Sequence, residues 1–302
     1  MRNSSKISTL ESKFPLLSVE HGCIVSKDAD ITVAFRVALP ELFTITSVEY
    51  ESMHSAWHKA IKVLPNYTIV HKQDWFIQEN YQLELPKEEG GQRLSFLSRA
   101  SERHFNERPF LNHNCYLFLT KTHKQRMQRQ SNFSTLCRGH ILPKEISDKE
   151  EVAKFLEAVD QFERIINDGD QIKLDRLTEE EIVGSEHHYG LLDRYFSLDG
   201  DSNPSLQDIR LGADQVRVGD NILCLHTLSD TDDLPTSVST DSRYERLSTD
   251  RSDCRLSFAA PVGLMLSCNH IYNQYLFIED SDENLQKFEK SARNMHSLGR
   301  YS

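Results

Sequence analysis

One stretch limits the fold of this 302-residue chain more than any other. From Ser147 to Asn167 the apolar residues Val152, Phe155, Leu156, Val159, Phe162, Ile165 and Ile166 recur at every third or fourth position. That spacing lines them along one side of an α-helix. Ser147 and Glu150 stand at capping-box spacing, and Asn167-Asp-Gly supplies the stop. A stripe of this width has to be covered by a sheet or by other helices. The chain has the material for that cover, with 15 Phe, 10 Tyr and 2 Trp, which also excludes disorder throughout.

The residues before the stripe read as alternating strands and helices. Leu16–Glu20, Gly22–Ser26 and Ile31–Leu39 are short apolar or β-branched runs divided by turn residues. Thr46 and Glu49 form a capping box, and Met53, Trp57, Ala60, Ile61 and Leu64 continue it as a helix that Pro65 ends. Strand character resumes at Tyr67–Ile77. Residues 80–93 read as an exposed loop, Leu94–Glu107 as a helix and Cys115–Leu119 as a strand. Beyond the stripe, the pattern predicts one helix over Thr178–Phe196, ordered chain at Leu256–Leu266, a strand at Ile271–Glu279 and a last helix from Asp282. Residues 229–253, with ten Ser/Thr and seven Asp/Glu, read as a mobile loop. The fold class expected is α+β with α/β-like punctuation: a mixed, mainly antiparallel sheet packed with helices. Two sub-lobes are expected, an N-terminal α/β lobe over 1–145 and a second over 146–302.

Several function classes drop out. The longest apolar run, Phe258–Leu266, is nine residues long and holds Pro261 and Gly263, whereas a spanning helix needs about 20. No apolar segment typical of a secretory leader follows Met1, so a cytoplasmic location is expected. The net charge of −11 disfavours general binding to nucleic acid or to anionic membranes. The six cysteines form no Cys-x-x-Cys pair and read as reduced thiols. Neither Gly-x-x-x-x-Gly-Lys-[Ser/Thr] nor Gly-x-Gly-x-x-Gly occurs, so no nucleotide loop is expected, and no Gly-x-Ser-x-Gly marks a hydrolase.

His54 and His58 have the i, i+4 spacing of two metal ligands, but Ser-Ala-Trp between them lacks a general base and no third ligand is evident. His113 with Cys115, and Cys137 with His140, bring thiol and imidazole near in sequence, at spacings foreign to zinc patterns. The pair His187-His188 reads as surface. No catalytic, cofactor-binding or metal-binding residue is assigned. Charge, by contrast, is segregated. Residues 121–144 carry six Lys/Arg and no acid; residues 145–186 carry 14 acids and five bases. Lys121, Lys124, Arg126 and Arg129 are therefore the candidate contacts for a partner or a phosphate group.

Several segments together carry a resemblance. They are Leu10-Glu-Ser-Lys-Phe-Pro-Leu-Leu, Cys23-Ile-Val-Ser-Lys-Asp-Ala-Asp-Ile-Thr-Val-Ala-Phe-Arg-Val, Met53-His-Ser-Ala-Trp-His-Lys-Ala and His71-Lys-Gln-Asp-Trp-Phe. Further on come Arg103-His-Phe-Asn-Glu-Arg-Pro-Phe-Leu-Asn-His, Ser131-Asn-Phe-Ser-Thr-Leu-Cys-Arg-Gly, Leu256-Ser-Phe-Ala-Ala-Pro-Val-Gly and Asn269-His-Ile-Tyr-Asn-Gln-Tyr. From about residue 8 onward the chain resembles the N-terminal region of the TraG family of conjugative-transposon proteins from Bacteroides-type bacteria, the VirB-class traffic ATPases of type IV secretion. The resemblance implies a docking and assembly module for conjugative DNA transfer, without catalysis of its own. ATP and Mg²⁺ would belong to a RecA-like motor that this chain lacks, so no cofactor is expected here. It implies inner-membrane and channel components, the motor and other copies of the chain as partners, with a peripheral place at the inner membrane. A different expectation from the basic segment is a free-standing adaptor or regulator that binds nucleic acid.

Overall fold

The structure, a computed structural model, describes residues 14–41, 45–81, 95–123, 149–185, 188–197, 208–228, 242–245, 248–251, 253, 255–256 and 266–299. In chain order the elements are β1 (Leu16–Glu20), β2 (Cys23–Ser26), β3 (Ile31–Ala38), α1 (Ser47–Val63), β4 (Thr68–Asn80), α2 (Phe96–Asn106), β5 (Pro109–Lys121) and α3 (Lys149–Asn167). Next come β6 (Lys173–Arg176), α4 (Glu179–Val183), β7 (Gly184–Ser185), β8 (His188–Tyr189), α5 (Leu191–Ser197), β9 (Ile209–Leu211), β10 (Val216–Val218) and β11 (Asn221–Leu223). The remaining elements are β12 (Ser242–Arg243), β13 (Arg255–Leu256), β14 (His270–Ile278) and α6 (Ser281–Gly299).

Seven strands form the main sheet, in the order β1-β2-β3-β5-β4-β14, with β6 also paired to β3. Every neighbouring pair in it is antiparallel. The path β3-α1-β4-β5-α3-β6, with strands ordered β6-β3-β5-β4, is the split β-α-β, ferredoxin-like topology. Two additions widen it. The β1–β2 hairpin shares one edge of β3 with β6, and β14 lies along the free edge of β4. That hairpin turns on His21 and Gly22, both at positive φ (54° and 70°), as a two-residue turn matched to strand twist requires.

Strand alternation decides what each face holds. Val33, Phe35 and Val37 of β3, Val70 of β4 and Cys115, Leu117 and Leu119 of β5 share the face that α1 and α3 cover. The stripe read from the sequence supplies Phe155, Val159, Phe162 and Ile166 to that core, and Trp57 of α1 meets Phe162 edge-on at 5.7 Å. Burying each of these phenylalanines contributes roughly 2–3 kcal/mol. The opposite face gathers Ala34, Trp75, Tyr116 and Phe118 with Leu177, Ile182 and Leu191 from the chain around α4 and α5.

Two expectations meet a different arrangement. The division at 145/146 falls inside this unit, because β6 and β14 join the same sheet and α3 fills the same core as α1. The single helix over Thr178–Phe196 is two short helices with a small hairpin between them. Thr178 and Glu181 do form a capping box. Gly184 then ends α4 at φ 92°, and Gly190 packs so tightly that a Cβ there would lie 2.3 Å from the Gly184 nitrogen. The loop expected at 229–253 and the segment 257–265 lie mostly outside the described residues. Among those described, no helix is long and apolar enough to cross a membrane.

Candidate functional site

The register of β4, β5 and β14 assembles polar groups that lie far apart in sequence. Asp74 sits opposite Cys115 and Tyr272, and Phe76 opposite His113 and His270. The buried Asp74 carboxylate accepts a hydrogen bond from His113 Nε2 at 2.9 Å and pairs with the Lys72 ammonium. Burial works against its ionisation. The hydrogen bond from His113, the charge of Lys72 and further hydrogen bonds from Lys72 and Cys115 outweigh that, and hold the carboxyl below its ordinary range. Phe76 is stacked between His113 and His270, each at 4.6 Å. His270 Nδ1 lies 2.8 Å from the Cys268 carbonyl, and its buried Nε2 has no hydrogen-bond partner among the described residues.

This cluster contains one of the thiol–imidazole pairs seen in the sequence, but joins it through Asp74. Burial pushes the Cys115 thiol up to about 12, and the thiol donates to the carboxylate. At neutral pH it is therefore protonated, the opposite of an activated nucleophile. The Asp74–His113 pair orients an imidazole whose ring is 37% exposed.

On the other face Gln73 is a hub. Its Oε1 accepts from Trp75 Nε1 at 2.7 Å and from the Tyr195 hydroxyl, and its Nε2 donates to Asn273 at 2.7 Å. Burial pushes Tyr195 up to about 12. Asn273 also meets His71 Nε2 at 2.8 Å. His71 is stacked between Phe118 at 5.3 Å and Tyr275 at 4.2 Å, and burial lowers its pKa against the pull of the Asn273 contact. A neutral imidazole clamped between rings ties β14 to β4. Beside α4 and α5, Arg36, Glu181, Tyr189 and Arg194 line a shallow cleft with a volume of only about 10 Å³, room for about one water, and Arg36 and Glu181 are 3.2 Å apart across it.

Of the basic residues singled out in the sequence, Lys121 is the last residue of β5 and only 6% exposed. Its ammonium lies 3.5 Å from Glu151 of α3, so it links the basic block to the acidic one within the molecule. Lys124, Arg126 and Arg129 lie outside the described residues. His54 and His58 are on the exposed side of α1, with Trp57 between them turned to the core. Cys137, His140 and His187 are outside the described residues, and His188 is in β8. Among the described residues, no group of three or more His, Cys, Asp or Glu side chains is placed to hold a metal ion.

One exposed apolar surface was not legible as such. β14 is the last strand of the sheet, and among the described residues only β4 pairs with it. Tyr275 and Phe277 are more than half exposed, and Leu276 is 43% exposed. Two residues later α6 begins, and its Leu285, Phe288 and Met295, spaced three and seven apart, are 58–73% exposed. Exposed apolar side chains mark an interaction surface where they form a contiguous patch, whereas single ones are ordinary. The clue in the sequence was a nine-residue strand without charge, followed by a helix with an apolar stripe that no described element covers.

Comparison with known proteins adds one finding. A family model described as "Domain of unknown function, B. Theta Gene description (DUF3875)" matches residues 3–55. The described part of that match holds β1, β2, β3 and the first half of α1, and so stops short of β4, β5 and β14. No curated protein matches the chain.

Proposed function

We propose that this chain is a docking and assembly module of a conjugative DNA-transfer apparatus, acting without catalysis of its own beside a type IV secretion ATPase. The resemblance to the N-terminal region of the TraG family supplies the setting. The observation that carries the docking role is the exposed apolar surface of β14 and α6. Phe277 at 54% and Phe288 at 73% exposure leave large rings in water, a cost that a partner would remove. The sealed Cys115 thiol fits a module whose polar groups hold strands together.

The test is a mating assay with a donor in which the gene for this chain is replaced by a Phe277→Glu/Phe288→Glu version. Transfer is expected to fall to the level of a donor lacking the chain, while the amount of protein in the cell is unchanged. Transfer at the normal rate from a donor lacking the chain would overturn the reading.

A further inference from the structure

We propose that β14 pairs antiparallel with β14 of a second copy of this chain, about a two-fold axis at Gln274, which would join the two sheets into one. The proposal rests on reading this edge as a docking surface, and it names the occupant.

Three observations point to a copy rather than to an unrelated chain. First, β14 is nine residues long and contains no Asp, Glu, Lys, Arg or Pro. Those are the residues that keep exposed edges from pairing, so the strand itself carries none of that protection. Second, the strand is complementary to itself. Centred on Gln274, antiparallel pairing sets Ile271 against the copy's Phe277, Tyr272 against the copy's Leu276 and Asn273 against the copy's Tyr275. Gln274 meets itself, amide against amide. His270 meets Ile278 at the ends, apolar groups meet at 271/277 and 272/276 and polar groups at the centre, and every pair occurs twice, as a two-fold interface requires. Third, each chain carries a net charge of −11, and a contact surface without charge adds no like-charge pair to the mutual repulsion of two copies. β14 is such a surface, and its Asn273, Gln274, Tyr275, Leu276 and Phe277 are all exposed. Joining two edges by strand addition satisfies backbone donors and acceptors that otherwise face water.

The mass of the whole chain in solution at tens of micromolar tests this. Light scattering is expected to give twice the 34.9 kDa chain mass. Gln274→Lys places two like charges against each other at the axis and is expected to weaken association at least tenfold, an estimate of about 1.4 kcal/mol or more. Because Gln274 is exposed, the fold should be retained, which circular dichroism checks. Register is read separately with Gln274→Cys in a chain also carrying Cys224→Ser and Cys268→Ser, oxidised by diamide. Directly opposed residues have Cα atoms about 4.5–5.5 Å apart, within disulfide reach. A 274–274 cross-linked peptide is therefore expected, and Tyr272→Cys in the same background should give no 272–272 peptide. A monomer at all concentrations, or a dimer unaffected by Gln274→Lys, overturns the proposal. A monomeric chain whose Phe277→Glu/Phe288→Glu version still blocks transfer overturns self-pairing alone. A dimeric chain that is dispensable for transfer overturns the conjugation reading alone.

Discussion

Two helices of the same length, 19 residues each, have opposite fates in this molecule. α3 buries Phe155, Ala158, Val159, Phe162 and Ile166 against the sheet. α6 has an apolar stripe of similar spacing and leaves Leu285, Phe288 and Met295 in water. The pattern of a helix therefore tells that it has a face to cover, and says nothing about what covers it. For α3 the answer is within the chain, since β3, β5 and α1 present their apolar sides to it. For α6 and its neighbour β14 the answer is placed outside the chain in the reading proposed above.

The largest effect should come from the covered helix. Phe162→Ala removes a fully buried ring that meets Trp57, and is expected to cost about 3–5 kcal/mol in urea unfolding. A loss below about 1 kcal/mol would mean that α3 is not the keystone described here.

Next in size is the polar cluster on the same face. Asp74→Asn removes a buried charge that Lys72 and His113 partner, with an expected loss of roughly 1–3 kcal/mol at pH 7. The pH dependence has a definite sign. A carboxyl held below its ordinary range binds its proton less readily folded than unfolded, so its contribution is complete above the unfolded value near 4. It is lost as pH falls through the folded value. The gap between wild type and Asp74→Asn should therefore narrow as pH drops below about 4, and a gap constant from pH 7 to pH 3 would count against the pairing.

A smaller effect is expected at the entrance to α1. Thr46 accepts from the Glu49 backbone N–H, and its own N–H donates to the Glu49 carboxylate at 2.7 Å. Thr46→Ala should cost about 1 kcal/mol, measured as a shift in the urea midpoint.

The smallest effect completes the comparison. Phe288→Ala in α6 should change unfolding by less than about 0.5 kcal/mol when measured at concentrations too low for association. A loss as large as that of Phe162→Ala would place Phe288 in a core and remove the contrast between the two helices.

Much of the fold was legible because local signals and tertiary structure agree. The Thr46/Glu49 box opens α1 as read, and the apolar runs at 16–20, 23–26 and 31–38 are strands. The strand read at Cys115–Leu119 extends from Pro109 to Lys121, since its outer residues owe their conformation to pairing with β4 rather than to their own pattern. β6 went unread because Lys-Leu-Asp-Arg offers a single buried residue, Leu174. The break between α4 and α5 depends on how closely Gly190 approaches Gly184, and spacing alone carries no such information. The site was harder still. Asp74 and His113 meet only because β4 and β5 pair in one register, and 39 positions separate them in the chain. Lys121 read as the start of an exposed basic run; its place at the end of a central strand puts it against Glu151 instead. The change of charge near residue 145 lies outside the described residues, and a core boundary there would need separate sets of apolar contacts, whereas α3 shares the core of α1.

The late arrival of β14 has a consequence for how the chain is made. β4 ends at Asn80, and the strand that completes its edge begins at His270. At synthesis rates of about 5–20 residues per second, roughly 10–40 s pass between the appearance of the two. Once β5 and β6 have followed, the other core strands are present while the edge of β4 still waits for its neighbour. A growing chain is then exposed to capture by any other strand of matching register, another nascent copy included. Cells that make this protein at high density on one messenger therefore face a choice between β14 arriving in its own sheet and β14 arriving in the next one.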